Sequence, residues 1–157
     1  MTTLVWNMFL AILWAVLNGE ITLANLVIGF LLGAVVLSLV QRGGDSPRYL
    51  WKLRKTVELA LFFLWVLLLS NLRVAYDVVT RRHHMRPGIV AVPLEAKTSA
   101  EITLLANLVT LTPGTISLDL SADHQTLYVH SMYIRTPEAT RREIKVGFER
   151  RVLEVLR

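Results

Sequence analysis

Cysteine is absent from the 157 residues of this chain, and charge is almost absent from its first quarter. Without cysteine there can be no disulfide framework, no cysteine-ligated zinc and no thiol nucleophile. Of the 17 basic and 12 acidic residues, only Glu20 falls in the first forty positions, and the rest lie between Arg42 and Arg157. The hydrophobic fraction of 54% exceeds the roughly 45–50% of soluble domains. We therefore expect an apolar membrane part and a separate charged part.

The sequence signatures of common enzymes and of nucleic-acid binding are also missing. There is no G-x-S-x-G, no glycine-rich phosphate loop and no H-E-x-x-H, so we expect no enzyme activity, no metal and no cofactor. The net charge of +5 comes from basic residues beside apolar segments, which is typical of cytoplasmic loops next to membrane helices and does not indicate nucleic-acid binding. The first residues lack a basic region and a small-residue cleavage site, so no secretory signal is expected.

Residues 1–41 predict a transmembrane helical hairpin. Two apolar stretches, Thr3–Leu17 and Ile21–Val40, flank a short polar break. The second stretch has the roughly 20 residues that a spanning helix requires, and the first is slightly shorter. Gly29 and Gly33 form a G-x-x-x-G pattern, which indicates close packing against another helix.

Residues 42–85 predict a basic loop and a long third membrane-associated helix, from Tyr49 to Thr80. The uncharged middle of this helix, Leu59–Leu72, is shorter than a full membrane span. Basic residues flank both ends, so a crossing helix would leave one basic cluster outside the cytoplasm. Snorkelling of Lys55 and Arg73 would lengthen the span. Two alternatives stay open, a helix that spans the membrane and a helix that lies in its interface.

Residues 86–157 predict a small α+β domain on the cytoplasmic side, with the order β-α-β-β-α. The strands are expected at 88–94, 115–120 and 126–134, and the helices at 102–111 and from Pro137 onward. A strand-helix-strand crossover makes the first two strands parallel, and the short turn at 121–125 makes the third antiparallel to the second. A domain of about seventy residues is near the lower limit for an independent core, so it should dock against membrane helices or a partner.

A Pro-Gly pair interrupts an apolar stretch that could otherwise be read as a further membrane span. Pro113 lacks an amide proton and restricts Thr112 to extended geometry, and Gly114 can take the positive φ of a type II turn. The following residues alternate with period two, which predicts a half-buried strand. Its core-facing side chains are expected to be Ile116, Leu118 and Leu120. The stretch therefore turns a corner inside the α+β domain.

The ionisable residues near the apolar segments have ordinary interfacial explanations. Glu20 falls in the predicted hairpin turn, and Glu58 stands at salt-bridge spacing from two preceding basic residues. His83 and His84 are adjacent, and neighbours on a helix point about 100° apart, so they do not form a metal pair. We therefore expect that the chain does not move ions by itself.

Four sequence motifs are specific enough to indicate a family. They are "LANLVIGFLLG" (23–33), "YLWKL" (49–53), "RPGIVAVP" (86–93) and "ITLLANLVTLTPGTISLDLSADHQTLYVHSM" (102–132). With these motifs the chain resembles the E subunit of the multisubunit Mrp (Mnh) type sodium/proton antiporters, over nearly its whole length. The succession of "LVTLTPGT" and "LYVH" carries most of the resemblance.

The resemblance implies an accessory, non-catalytic subunit of a bacterial cytoplasmic-membrane complex. Its implied partners are the larger subunits, which exchange sodium or another monovalent cation for protons and carry the ion path, together with membrane lipids. No small-molecule substrate is expected to bind this chain alone. The family positions, interpreted as structural or interface residues, are Arg86, Pro87, Gly88, Thr110, Pro113, Gly114, Thr115, Asp119, Tyr128 and His130.

An alternative function is an autonomous membrane-anchored binding module. Its basic flanks would hold anionic lipid, and its small sheet would recruit a soluble partner. For either function, a third helix that lies in the interface predicts that the amino terminus, both basic clusters and the α+β domain are cytoplasmic. A crossing third helix reverses the hairpin.

Overall fold

A computed structural model describes residues 2–40, 46–80 and 85–157, which form two compact units, Met1–Arg54 and Lys55–Arg157. Part of the predicted basic loop, at 41–45, lies outside the described residues. So do His83 and His84. The unit boundary falls within the long helix, so residues 55–79 of that helix belong to the same unit as the α+β fold.

The first unit contains two apolar helices, α1 (Thr2–Leu17) and α2 (Leu23–Val40), joined by a short turn. Gly19 in that turn has a φ of +75°. The side-chain amide of Asn18 donates to the Trp14 carbonyl at 2.8 Å, and that of Asn25 donates to the Glu20 carbonyl at 2.8 Å. These bonds satisfy carbonyls where α1 ends and within the turn. The two helices run antiparallel and pack together, because Gly29 lies against Ala11 and Gly33 against Asn7.

The third helix, α3, runs from Ser46 to Val79, so the predicted long helix is confirmed. Its 34 residues extend about 51 Å at 1.5 Å per residue. In the part of the chain that the structure describes, its segment Trp51–Val79 is the one helical stretch long and apolar enough to cross a membrane. The apolar helices α1 and α2 are shorter.

The sheet has three antiparallel strands in the order β1-β3-β2. The strands are β1 (Gly88–Pro93), β2 (Thr115–Leu120) and β3 (Thr126–Ser131). The strands β1 and β2 point the same way, as predicted, but they do not pair because β3 lies between them. The prediction that the third strand reaches residue 134 is wrong. Ser131 pairs with the first residue of both neighbouring strands, and beyond it the pairing continues only as an isolated bridge between Arg86 and Tyr133.

Two helical segments cover one face of the sheet. They are α4 (Ser99–Leu111) and a continuous helical segment made of α5 (Pro137–Arg142), a π-helical stretch (Glu143–Glu149) and α6 (Arg150–Leu156). Thr136 caps α5, with Pro137 at the first position, as predicted. The core of this unit includes Val90, Val92, Leu105, Val109, Leu127, Val129, Ile144, Phe148 and Val152.

The helix α3 completes this core. Leu59 is buried within it, and Phe62, Phe63 and Val66 pack against it. The rings of Phe62 and Phe148 meet edge to face, with centroids 5.6 Å apart. The docking surface expected for so small a domain is therefore supplied, at least in part, by α3 of the same chain.

The predicted orientation of β2 is wrong. Ile116 and Leu118 are 44% and 50% exposed, whereas Thr115 and Ser117 face α4. The Ser117 hydroxyl donates to the Ala106 carbonyl at 3.0 Å, so a polar side chain here satisfies a helix carbonyl that an apolar one could not. A register irregularity between residues 117 and 119 then brings residue 120 back to the core side, opposite Leu127.

Candidate interface surfaces

The glycines of the G-x-x-x-G pattern face α1 of the same chain. A Cβ atom on Gly29 would lie 2.8 Å from the Trp14 Cβ and 2.9 Å from the backbone of Ala11. A Cβ atom on Gly33 would meet the Asn7 side chain. The two missing side chains therefore allow α1 and α2 to approach closely within one hairpin.

The Pro-Gly corner has the geometry predicted from the sequence. The helix α4 ends at Leu111, and Thr112 is extended, with φ of −81° and ψ of 118°. Gly114 has a φ of +90°, and the Thr115 amide donates to the Thr112 carbonyl at 3.1 Å. With Pro113 at the second position and glycine at the third, this is a type II turn.

Threonine hydroxyls hold the corner against the end of α4. The Thr115 hydroxyl donates to the Val109 carbonyl at 2.6 Å, and the Thr110 hydroxyl accepts from the Ser117 amide at 3.1 Å. A Cβ on Gly114 would lie 3.0 Å from the Tyr133 ring. Three of the family positions thus connect the helix, the turn and the β2 strand by direct contacts.

The sheet face away from the helices is apolar and uncovered in the described part of the chain. His130 stands between Ile89 and Ile116 in the register, and Tyr128 stands between Ala91 and Asp119. We define the outer sheet face as Ile89, Ile116, Leu118, Tyr128 and His130. Ile89 is 64% exposed. Asp119 lies at the border of this face and accepts from the Leu120 amide at 2.8 Å.

Side chains occupy hydrogen-bonding groups on both outer edges of the sheet. On β1, the Arg141 Nε donates to the Ala91 carbonyl at 2.8 Å. On β2, the Ser117 amide donates to Thr110. Occupied edge groups disfavour the addition of a partner strand.

The Arg-Pro-Gly sequence leads into β1 beside the segment that follows β3. The Arg86 amide donates to the Met132 carbonyl at 2.8 Å, and the Ile134 amide donates to the Arg86 carbonyl at 3.0 Å. A Cβ on Gly88 would lie 2.9 Å from the Ile134 side chain, and Pro87 is exposed. The backbone of Arg86 is thus fixed while its side chain remains exposed.

Two buried carboxylates, which we call the carboxylate clamp, hold the loop between β1 and α4. Glu149 accepts from the amides of Glu95, at 2.5 Å, and Ala96, at 2.9 Å. Glu101 accepts from the amides of the next two residues, 97 and 98, at 2.8 and 3.2 Å, and Thr98 caps α4 in return. Four consecutive amides are therefore satisfied by two side chains.

The clamp was not predicted from the sequence. Its first half has a local signal, because "TSAE" from Thr98 to Glu101 is the S/T-x-x-E capping box. Its second half has none, since Glu149 reaches amides more than fifty residues away along the chain.

Arg157 lowers the pKa of one carboxylate of the clamp, that of Glu101. Its Nε donates to a Glu101 oxygen at 3.0 Å, and together with the two backbone amides it lowers the pKa of Glu101 from 4.5 to about 2, although burial opposes the shift. Because the folded-state pKa of Glu101 lies below the unfolded one, this carboxylate stabilises the fold above pH 4.5. That stability is lost as the pH falls from about 4.5 to about 2.

We expect Glu101→Gln to lower the thermal midpoint of the purified chain in detergent at pH 6 by about 4–8 °C. This corresponds to roughly 2 kcal/mol, after allowance for the exposed arginine partner. The difference from wild type should shrink as the pH approaches 2. Glu138→Gln, at an exposed position of α5, is the control and should leave the midpoint nearly unchanged. A difference that is the same at pH 6 and pH 2.5 would contradict the assignment.

Two cavities adjoin beside α3. One, of about 510 Å³, lies between Phe62 and Val66 of α3, the Pro-Gly corner and the π-helical stretch. The other, of about 920 Å³, is more polar and contains Arg73, Arg86 and Arg135. They meet at Tyr133, whose ring lies 5.3 Å from the Arg73 guanidinium carbon. Burial raises the pKa of the Tyr133 phenol above its usual range, and the neighbouring Asp77 carboxylate adds to this.

The described residues contain no group of three or more histidine, aspartate or glutamate side chains placed to hold a metal ion. His130 lies on the outer sheet face, and His124, in the turn before β3, has a positive φ of 58°.

Comparison with known proteins gives a consistent result. The family described as Na+/H+ ion antiporter subunit matches residues 7–155. The E subunit of the Na(+)/H(+) antiporter of Bacillus subtilis (strain 168) is 37% identical over 151 residues, which are 96% of this chain and 96% of the relative. The corresponding E subunit of Alkalihalophilus pseudofirmus is 34% identical over 149 residues, or 95% and 94% of the two chains.

Two solved structures contain similar chains. A chain of the Mrp complex from Dietzia sp. DQ12-45-1b is 26% identical, with a TM-score of 0.51 over 65% of this chain and 96% of that one. A chain of the membrane-bound sulfane sulfur reductase, an archaeal respiratory membrane complex, is 26% identical, with a TM-score of 0.54 over 96% of both chains. With the family match over nearly all residues, these findings identify the chain as a member of the E subunit family of Mrp-type Na+/H+ antiporters.

Proposed function

We propose that this chain is an accessory, non-catalytic subunit of a multisubunit antiporter that exchanges sodium or another monovalent cation for protons. It helps the larger subunits to assemble and to remain stable in the bacterial cytoplasmic membrane, while those subunits carry the ions. The observation that carries the proposal is the extent of exposed apolar surface, on α1 and α2 and on the outer sheet face. Surfaces of this kind are normally covered by protein partners or lipid.

The distribution of charge supports a non-catalytic role. An ion path needs ionisable residues at membrane depth, and neither α1 nor α2 contains a charged residue. In α3, Glu58 pairs with Lys55 at 3.0 Å, and Asp77 is buried beside Tyr133. The carboxylates of α3 therefore have structural partners within the chain.

In this proposal α1 and α2 cross the membrane, and the α+β domain is cytoplasmic. Helices that are apolar all round are typical of membrane spans, and the basic residues next to the apolar segments favour a cytoplasmic position for the domain. The outer sheet face then contacts another subunit of the complex. Its lack of charge, apart from Asp119 at its border, fits the apolar centre of a protein interface.

We expect Ile116→Glu to reduce co-purification of the larger subunits with the tagged chain by about tenfold or more. A charge at the centre of an apolar contact would lose its hydration without gaining a partner. The antiport rate per assembled complex should be unchanged. Gln125→Glu, which adds the same charge in an exposed turn, is the control. Normal assembly with lost antiport would contradict the non-catalytic role.

The outer sheet face also suits the second candidate function, an autonomous binding module that recruits a soluble partner. The two are separated by expressing the chain without the antiporter genes. An accessory subunit should be degraded or mislocalised, whereas an autonomous module should persist in the membrane at its usual level.

A further inference from the structure

The helix α3 has two opposite apolar faces, and one of them is already covered by the α+β domain. Near its start, the Lys55 ammonium meets Glu154 of α6 at 3.0 Å. Near its end, the Arg73 guanidinium lies over Tyr133. These two contacts are eighteen residues apart, so the domain lies alongside about 27 Å of the helix. That length is nearly the ~30 Å hydrocarbon thickness of a bilayer.

This side-by-side packing disfavours a membrane crossing by α3, although the helix is long and apolar enough for one. If α3 crossed, its covered face would bring the helical segment Pro137–Leu156 to the same depth in the bilayer. That segment contains nine charged residues, and its Arg151 guanidinium lies 3.9 Å from the centre of the Phe62 ring, in the middle of α3. Each charge at the bilayer centre costs at least about 2.5–3.5 kcal/mol. The domain must instead remain at the surface and keep α3 there with it.

The uncovered face of α3 is a continuous apolar stripe. It consists of Val57, Leu61, Leu64, Leu68 and Leu72, each close to half exposed or more. Their spacings of four, three, four and four keep them on one side of a helix, opposite Leu59 and Val66 of the covered face. The polar Asn71 on this side donates its amide to the Leu67 carbonyl at 2.8 Å, which satisfies one of its hydrogen-bonding groups within the helix.

Lipid fits this stripe better than water does. Trp65 and Tyr76 are exposed beside it, and both residue types favour the level of the lipid headgroups. Basic residues flank the apolar part of α3 at both ends, which favours an anionic membrane surface and disfavours a crossing. An apolar stripe with a charged layer behind it is the arrangement of an interfacial helix.

We propose that α3 lies in the plane of the cytoplasmic membrane interface, with the α+β domain on its cytoplasmic side and the stripe inserted among lipid acyl chains. The proposal rests on the proposed membrane location of the chain. In this position α3 would fix the distance and the orientation of the α+β domain relative to the membrane surface. The domain would thereby be held in place to contact its partner subunits.

The test is a depth profile of spin labels in the assembled complex. Single cysteines are placed at the five stripe positions of this cysteine-free chain, labelled and reconstituted in vesicles containing anionic lipid. Collision rates with oxygen and with a water-soluble paramagnetic agent give the depth of each label. A label at Gln125 is the solvent control, and one at Leu105, in the core, is the buried control.

We expect all five labels at one shallow depth, about 5–10 Å below the headgroups. A depth that increases to the bilayer centre near residue 64 and decreases towards both ends would overturn the proposal in favour of a crossing helix. Low collision rates with both agents, as at Leu105, would overturn it in favour of a protein partner on the stripe. Subunit recovery and antiport, measured on the same samples, show separately whether the proposed accessory function holds.

Discussion

Gly29→Leu should reduce the amount of intact chain in the membrane by about tenfold or more. The added Cβ would lie within 2.9 Å of the Ala11 backbone, which no side-chain rotation can relieve. Overpacking of this kind costs about 3 kcal/mol or more, so α1 and α2 should separate. The measurement is the half-life of the tagged chain in membrane fractions, expressed together with the other subunits.

A matched control separates this clash from a general effect of added bulk. Leu31→Phe enlarges a side chain of α2 that is 57% exposed, and it should leave the half-life unchanged. Gly33→Leu should have a smaller effect than Gly29→Leu, because the nearest obstacle is the end of the Asn7 side chain, which can rotate, and not backbone. A wild-type half-life for the Gly29 variant would contradict close packing of the hairpin.

Features with local causes were predictable from the sequence. The Pro-Gly corner depends on what Pro113 and Gly114 can and cannot adopt, and the observed φ of Gly114 agrees with the prediction. The cap at Thr136 has the same kind of cause. In both cases a short run of residues determines the geometry whatever surrounds it.

Features that depend on distant residues were not predictable. Alternation showed that β2 is a strand but could not tell which face is covered, because the outcome depends on α4 carbonyls that accept from Ser117. The order of the strands in the sheet was also not predictable, for the same reason. A strand-helix-strand unit sets the relative direction of β1 and β2, but the strand between them follows later in the chain.

The contacts of α3 explain why hydropathy alone could not distinguish a helix that spans the membrane from one that lies in its interface. Hydropathy records that Phe62 and Val66 are apolar, and a lipid-facing residue and a core residue look alike by that measure. The contact of Phe62 with Phe148 separates them, since it assigns one face of the helix to the domain core. The opposite stripe, from Val57 to Leu72, is then a separate and exposed surface.

Glu149→Ala should destabilise the α+β unit by about 3 kcal/mol, which corresponds to a decrease of about 6–12 °C in thermal midpoint. Glu149 is 2% exposed, and its removal leaves the amides of Glu95 and Ala96 without their acceptor. Each buried unpaired amide costs about 1–3 kcal/mol. Circular dichroism of the purified chain in detergent gives the midpoint, and hydrogen exchange of the two amides shows whether the loop has opened.

Two further variants separate the hydrogen bonds of Glu149 from its charge. Glu149→Gln keeps an acceptor oxygen and should lose about half as much stability as the alanine variant. Glu138→Ala removes the same charge from α5 at a side chain that is 73% exposed, and it should shift the midpoint by less than about 2 °C. If the amides at 95 and 96 exchange no faster in Glu149→Ala than in wild type, the buried carboxylate does not hold the loop. The stability of the domain would then come from its apolar core and from α3. In that case the thermal midpoint of Glu149→Ala should also equal that of wild type.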